Sequence, residues 1–364
     1  RMHMDRYHFI IVGSGWRAMY YVRVAKAMPE LFCLDAMYCR RQEKADKIAQ
    51  EYGINTVTSI DDCINMRPDF AVIAVSKASI CDTAIEWMDR GMTVLSETPA
   101  GLDTESLFRM YEYNKAVQKQ VVAEQYREYP HNKAVIRLVK SGIIGDVSCM
   151  NISLAHEYHG ASLMRAYLGI NPGMKYSLTA KNYTFPTAET LTRYERYTDG
   201  RIADKRRCVA SFEFENGKVA WYDFDSEQYR SPIRKNTYKI QGTRGEIIDD
   251  KVYYLDENNN GAEADIDIKT RVVNRGDINP NFAVIREVES ISFQGKVLYQ
   301  PAHGLCGLSE DETAIAALME KTALYSRGMG PSPYSIEDAL ADAYAMIRLN
   351  AMAKADKPVG KADL

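Results

Sequence analysis

Along the first 125 residues, short apolar runs alternate with stretches of helical spacing. Phe9–Val12 is a compact apolar run, and Trp16–Met28 follows as a helix-compatible stretch that stops at Pro29. Phe32–Cys39 predicts a second strand, and Glu43–Tyr52 a polar helix closed by Gly53. Phe70–Val75 is fully apolar and predicts a strand buried on both faces. Thr83–Arg90 is helical, with Ala84, Ile85 and Met88 on one side, and Gly91 caps it. Thr93–Leu95 and Val121–Ala123 are further strands. They flank a helix that Asp103 caps and that carries Leu107, Met110 and Tyr111. This strand–helix alternation implies a parallel, doubly wound sheet.

After Pro130 the pattern changes. Asn132–Lys140 predicts a helix ending at Ser141-Gly142, Asp146–Ala155 a strand, and Leu163–Leu168 a helix ending at Gly169. From Cys208 to Val297, apolar and polar residues alternate between turns such as Glu215-Asn216-Gly217. That is the pattern of antiparallel sheet with one solvated face. Arg201–Arg207 reads as a basic loop and Asp256–Gly261 as a polar one. The chain closes with helices. Ser335-Ile336-Glu337-Asp338 has the spacing of a capping box, and Ile336, Leu340, Ala343, Tyr344 and Ile347 form one apolar stripe expected to pack on a core.

At 364 residues the chain is long for one core, so two domains are expected. A hydrophobic fraction of 46% and a charged fraction of 26% are those of a globular protein. The net charge of −3 gives no reason to expect nucleic acid or an anionic membrane as partner. No run is long enough to span a bilayer. The start shows no signal-peptide pattern, and Arg1–Met4 reads as a cloning remnant with Met4 as the native start. Seven cysteines lie scattered without CxxC pairs, which suits reduced thiols and a cytoplasmic location.

The first chemistry lies between the first strand and the first helix, in the Gly-x-Gly-x-x-Ala turn of Gly13, Gly15 and Ala18. A glycine first permits the tight turn. A glycine second lets the backbone approach a pyrophosphate, which the helix N-terminus then holds. A small third residue allows close helix–strand packing. Strand, turn and helix follow in the order that dinucleotide binding needs.

Further segments extend the pattern. They are Gly13-Ser14-Gly15-Trp16-Arg17-Ala18, Ala74-Val75-Ser76-Lys77, Ser96-Glu97-Thr98-Pro99-Ala100-Gly101, Gln125-Tyr126-Arg127-Glu128-Tyr129-Pro130, the run from His159 to Gly169, and Gly330–Leu340. In this order they resemble the glucose–fructose oxidoreductase / inositol dehydrogenase (Gfo/Idh/MocA) family over nearly the whole chain. The resemblance implies an α/β protein with an N-terminal NAD(P)-binding Rossmann domain, 1–126. It also implies a C-terminal α/β domain, 127–364, with a large, mostly antiparallel open sheet for substrate binding and oligomerisation. The helix over 335–355 is expected to pack back toward the Rossmann domain. Family members mostly oxidise or reduce sugars and polyols with a nicotinamide cofactor, many as dimers or tetramers through the open sheet. The cofactor-binding residues it implies are Gly13, Ser14, Gly15, Trp16, Arg17, Ser76, Lys77, Glu97 and Gln125. For Lys77 a plain surface role stands beside that reading.

Where an NAD enzyme carries an acid for the ribose 2′-hydroxyl, the family register falls on Cys39, followed by Arg40 and Arg41. Two guanidiniums attract a 2′-phosphate and can bond it bidentately, so NADP is expected over NAD. The alternative for the pair is a solvated helix start. Asp35 is the only acid near the usual spacing, and it lies too early in its strand.

Oxidising a secondary alcohol needs a base for the hydroxyl proton, and reduction needs the same group as an acid. The family lysine of Glu-Lys-Pro is here Thr98, a candidate to hydrogen-bond a substrate oxygen through its hydroxyl, which cannot titrate near neutral pH. His159 matches the family's active-site histidine and is the expected acid/base. His156, Glu157 or Tyr158 are candidates to orient it, since the usual Asp position is Ala155. Tyr126, Tyr158 and Tyr183 are candidates to stack on a sugar, with core packing as the alternative. The spacing of His156, Glu157 and His159 fits no standard zinc signature, and no metal is expected. Three functions stand open: an NAD(P)-dependent sugar or polyol oxidoreductase, a redox-neutral lyase or glycosidase using bound nicotinamide, and a non-enzymatic dinucleotide-binding sensor.

Overall fold

The computed structural model describes residues 6–355; the Arg1–Met4 reading lies outside the described residues. The chain divides into two units. One is formed by the chain up to Tyr129 together with Cys306–Tyr344, and the other by Pro130–Leu305 with the chain from Ala345 on.

In the first unit, β1 (Tyr7–Val12), α1 (Ala18–Ala27), β2 (Phe32–Tyr38), α2 (Gln42–Tyr52), β3 (Thr56–Val57), α3 (Ile60–Asn65) and β4 (Phe70–Ile73) follow one another. They are succeeded by α4 (Ile80–Asp89), β5 (Val94–Ser96), α5 (Thr104–Val117) and β6 (Gln120–Val122). The six strands form a parallel sheet in the order β3-β2-β1-β4-β5-β6, the doubly wound arrangement the alternation predicts. Alternation along each strand sends side chains to both faces. Phe9, Ile11, Phe70 and Val72 pack on one face with Tyr21 and Val22 of α1. Ile10, Val12, Ala71 and Ile73 pack on the other with Ala84, Trp87 and Met88 of α4. Several helix ends are set by local chemistry. Asp103 accepts from the Ser106 N–H at 2.7 Å at the start of α5, and Gly53 ends α2 at φ 66°.

The second unit contains α6 (Pro130–Lys140), β7 (Val147–Ser153), α7 (Glu157–Leu168), β8 (Tyr176–Ala188), β9 (Ile202–Phe214) and β10 (Val219–Asp225). It continues with β11 (Thr237–Gly242), β12 (Gly245–Ile248), β13 (Lys251–Leu255), β14 (Gly261–Asn274), β15 (Val284–Phe293) and β16 (Lys296–Tyr299). These strands form one ten-stranded sheet, ordered β16-β15-β14-β13-β12-β11-β7-β10-β9-β8. The β7–β10 pair is parallel and the other neighbouring strands pair antiparallel. One face is buried through Cys208, Ala210, Phe212 and Phe214 of β9. On the opposite face, Tyr183, Val209 and Trp221 are exposed.

The chain ends in α8 (Glu310–Ser326) and α9 (Ile336–Ala355). α8 returns to the first unit, where Ile315, Leu318 and Met319 join the face that α1 covers. Ser309 and Glu312 form a complete capping box there. At α9, Ser335 accepts from the Asp338 N–H at 3.0 Å and donates to the Asp338 carboxylate at 2.7 Å.

Three local expectations change. α7 begins at Glu157, six residues before the predicted start. Arg201–Arg207 is largely the first half of β9, because a strand with one open face tolerates alternating charge. The buried side of α9 runs through Ala339, Ala343, Met346, Leu349 and Ala353, and Tyr344 is exposed, so of the expected stripe only Ala343 lies fully buried. Among the described residues no helix is long and apolar enough to cross a membrane.

Candidate active site

The first half of the site grows from the carboxyl end of β1. Gly13 follows with φ +111°, and a Cβ there would lie 2.2 Å from the carbonyl oxygen of Ala74, just beyond β4. The strand order reverses between β1 and β4, so two loops leave in close contact and glycine is required. Gly15 differs, since a Cβ there would meet nothing within 4 Å. The surrounding fold makes no demand for glycine at this position, whereas approach by a pyrophosphate does.

Downstream, α1 has no side-chain cap and no acid in its first turn; α3, α5 and α8 are capped by Ser59, Asp103 and Ser309, and α2, α4 and α7, which also lack a side-chain cap, each carry an acid there. Its N-terminal N–H groups and positive dipole end are suited to an anion. Open backbone, uncapped helix and topological switch point together fit a dinucleotide phosphate at Gly13–Ala18. Ser14 and Trp16 are half-buried beside it, the Trp16 ring lying 6.0 Å from that of Tyr20.

Three of the other candidates form one hydrogen-bonded network. Arg17 donates from Nε to Glu97 at 3.1 Å and from Nη1 to Asp311 at 2.8 Å. Gln125 donates to the other Asp311 oxygen at 2.9 Å, and Tyr21 donates to Glu97 at 2.5 Å. Burial opposes the Arg17 charge, but the Asp311 and Glu97 carboxylates outweigh it and raise its pKa well above the ordinary arginine value. Burial likewise works against ionised Asp311. The Arg17 guanidinium, with bonds from Gln125 and Tyr129, nevertheless holds its carboxyl below the usual range. Burial pushes Tyr21 well up, and the Glu97 carboxylate adds to this. Burial also lifts Glu124 to about 8, although the Tyr126 N–H and Arg127 oppose it. Gln125 Oε1 is buried and has no hydrogen-bond partner among the described residues. Asp311, Tyr21 and Glu124 carry no local motif and Tyr129 fills an unspecified place in one, and the sequence reading missed all of them.

Arg40 and Arg41 follow β2, exposed, and their side chains make no hydrogen bond or ion pair among the described residues, while the Arg41 carbonyl accepts from the Ala45 N–H at 3.0 Å. Cys39 is buried, and Asp35 sits inside β2 bonded to His8. Ser76 and Lys77 follow β4, both exposed, with the Ser76 hydroxyl donating to Ser79 at 3.0 Å. Thr98 is half-buried after β5, and its bond to Pro99 is cis. Every predicted cofactor residue therefore follows the carboxyl end of a strand of this sheet, where doubly wound folds hold ligands. Tyr126 is buried, its ring 4.5 Å from that of Tyr129.

The second unit gathers His156, Glu157, Tyr158 and His159 at the start of α7. Glu157 adopts φ 44°, an unusual conformation for a non-glycine residue, and its N–H donates to the Tyr222 hydroxyl at 2.8 Å. Gly160 lies so close that a Cβ would sit 2.8 Å from both the Tyr222 ring and the Ala155 carbonyl. This contact explains why a glycine that reads as loop stands inside a helix. The Tyr229 hydroxyl accepts from the His156 main-chain N–H at 2.9 Å, and it lies 2.5 Å from Nδ1 of the same residue. His159 is buried, its ring 5.1 Å from His156 and 4.4 Å from Tyr158. Tyr158 is buried too, with little face left for a ligand. Arg206 approaches Glu157 at 3.8 Å. Tyr222 and Tyr229, which shape this turn, lie 65 and 73 positions from their partners, beyond any local signal. Tyr183 is exposed and stacks on Phe185.

Residues 7–125 match the family described as oxidoreductase family, NAD-binding Rossmann fold (GFO_IDH_MocA). An L-aspartate dehydrogenase from Methanococcus maripaludis is 26% identical over 139 residues, which are 37% of this chain and 49% of that protein. The chain thus spans about half the length of the curated relatives it matches. Among solved structures, a levoglucosan dehydrogenase in complex with NADH and levoglucosan is similar with a TM-score of 0.68 at 16% identity, over 96% of this chain and 98% of that one. An oxidoreductase from Sinorhizobium meliloti gives 0.65 at 14% identity, over 96% and 98%. At such identities the likeness establishes the fold. Taken with the six-stranded sheet and its glycine turn, the match shows that the N-terminal domain of this chain belongs to the Gfo/Idh/MocA oxidoreductase family.

Proposed function

We propose that the chain is an NADP(H)-dependent oxidoreductase acting on a sugar, polyol or related carbonyl compound, with His159 as the acid/base in place of the family's lysine. The carrying observation is the open Gly15 backbone before an uncapped α1, a cradle for a dinucleotide phosphate. Arg40 and Arg41, exposed after β2, supply the charge for a 2′-phosphate. The levoglucosan dehydrogenase structure, with NADH and a sugar bound, supports the substrate class.

A bound nicotinamide supplies or accepts the hydride. The chain must then supply the proton, and His159 is the titratable group at the family position. His156, fixed by Tyr229, and Glu157 orient it. The open face of the ten-stranded sheet, bearing Tyr183, Val209 and Trp221, is proposed as the surface through which copies associate. The test is turnover of a sugar and polyol panel with NADP+ or NAD+. His159→Asn should abolish turnover while dinucleotide binding survives, and retained turnover would refute the assignment.

Thr98 supports a second reading, a dinucleotide-binding sensor without turnover, because a hydroxyl cannot replace a titrating lysine. Binding with no turnover across the panel would favour it.

A further inference from the structure

At the opposite end of β1 from Gly13, three side chains with different donor atoms converge. His8 in β1 is paired directly with Cys33 in β2. The register then shifts, Phe9 facing Leu34 and Ile10 facing Ala36, so Asp35 is the extra residue of a bulge. The bulge turns the Asp35 carboxylate toward its neighbours. His8 Nδ1 lies 2.8 Å from Asp35 Oδ1, and the Cys33 thiol donates to the same oxygen at 3.5 Å. One ligand atom from each residue lies within 4.8 Å of the others. The second carboxylate oxygen, Oδ2, is buried without a hydrogen-bond partner among the described residues, and the Asp35 side chain is only 13% exposed.

We propose that His8, Cys33 and Asp35 form a binding site for a thiophilic divalent cation of the zinc class. One imidazole, one thiolate and one carboxylate are a borderline-soft set that suits zinc better than magnesium or calcium. Tetrahedral zinc with Zn–N near ~2.0 Å and Zn–S near ~2.3 Å spaces its ligands roughly 3.3–3.8 Å apart. The trio reaches that spacing by a small opening of the His8–Asp35 contact. On binding, the Cys33 thiol proton, and any proton shared between His8 and Asp35, pass to solvent. Thiolate and carboxylate then balance the two charges of the cation beside a neutral imidazole.

The surroundings hold the ligands from outside. The His8 N–H donates to Asp69 at 2.8 Å, and the Asp35 carbonyl accepts from Asn55 at 2.9 Å. Asp69 is itself paired with Arg327 at 2.7 Å, and Arg6 is the other nearby cation. The His8 side chain is 41% exposed, so a fourth ligand can come from water. The site is independent of the dinucleotide reading.

The test uses the full chain after chelation, titrated with zinc chloride by calorimetry and with Co2+ by absorption. One equivalent should bind, with a thiolate-to-cobalt charge-transfer band. Cys33→Ser should abolish the band, and His8→Gln and Asp35→Asn should each weaken binding about tenfold or more. No cysteine is held in a disulfide among the described residues, so a second readout needs no substitution. Zinc should protect Cys33 from alkylation, as mapped by peptide mass spectrometry. No thiolate band in the unsubstituted chain, a band undiminished in Cys33→Ser, or Cys33 alkylated equally with zinc present would each overturn the site.

Discussion

Arg17 and Asp311 are 294 positions apart in the chain and 2.8 Å apart in the fold. The bond ties the residue just before α1 to the first turn of α8. Asp311 accepts from Gln125 as well, so one carboxylate organises two residues of the cofactor edge. Asp311→Asn should lower stability by about 1–3 kcal/mol, because it leaves the Arg17 charge short of a partner. Chemical denaturation checks this. Asp311 titrates below its ordinary value in the fold, so its contribution is present above the unfolded pKa of 3.8 and lost as pH falls through the lower folded value. The deficit of the variant should therefore shrink in acid. A variant as stable as wild type at neutral pH would show that the bond contributes nothing.

Glu124 gives the opposite slope. Burial raises its pKa from 4.5 to about 8 in the folded chain. The fold then binds a proton that the unfolded chain releases. That stabilisation is complete below 4.5 and is lost as pH rises through about 8. Glu124→Gln mimics the protonated acid and can still accept from the Tyr126 N–H. Relative to wild type, the variant should gain stability steadily across this window, read from melting curves on either side of it. Parallel curves would mean Glu124 is ionised in the fold.

Arg40 and Arg41 bear on cofactor choice. Replacing both with alanine should weaken NADPH binding by at least about tenfold, the loss of a charge-assisted phosphate contact, and leave NADH binding nearly unchanged. Equal losses for both cofactors would assign the pair to a solvated helix start.

How far the chain could be read in advance depended on the range of the forces involved. The Asp103 cap and the Gly53 and Gly169 ends are local chemistry, and each stands where its neighbours in sequence require, while Gly13 was legible from its motif although the contact that requires it, with Ala74, is distant in sequence. The start of α7 was not legible. Glu157 is held at φ 44° by Tyr222, and Gly160 is required by that same distant ring. Arg17, Glu97 and Gln125 each read as cofactor-binding from the family resemblance, but Asp311 and Tyr21, which bind them together, lie outside every motif. The same holds for His8 and Asp35, which only strand pairing and a bulge bring to 2.8 Å.

The most direct test of the account is a fluorescence titration of NADPH and NADH against wild type, Gly15→Ala and Gly13→Ala, each checked for folding by circular dichroism. Wild type should bind. Gly15→Ala should fold and melt like wild type, since its Cβ meets nothing within 4 Å, yet bind at least about tenfold more weakly. Gly13→Ala, with its Cβ 2.2 Å from a carbonyl oxygen, should lose stability as well as binding. A wild-type chain that binds neither nucleotide, or a Gly15→Ala chain that binds as wild type does, would contradict the placement of a dinucleotide on this turn.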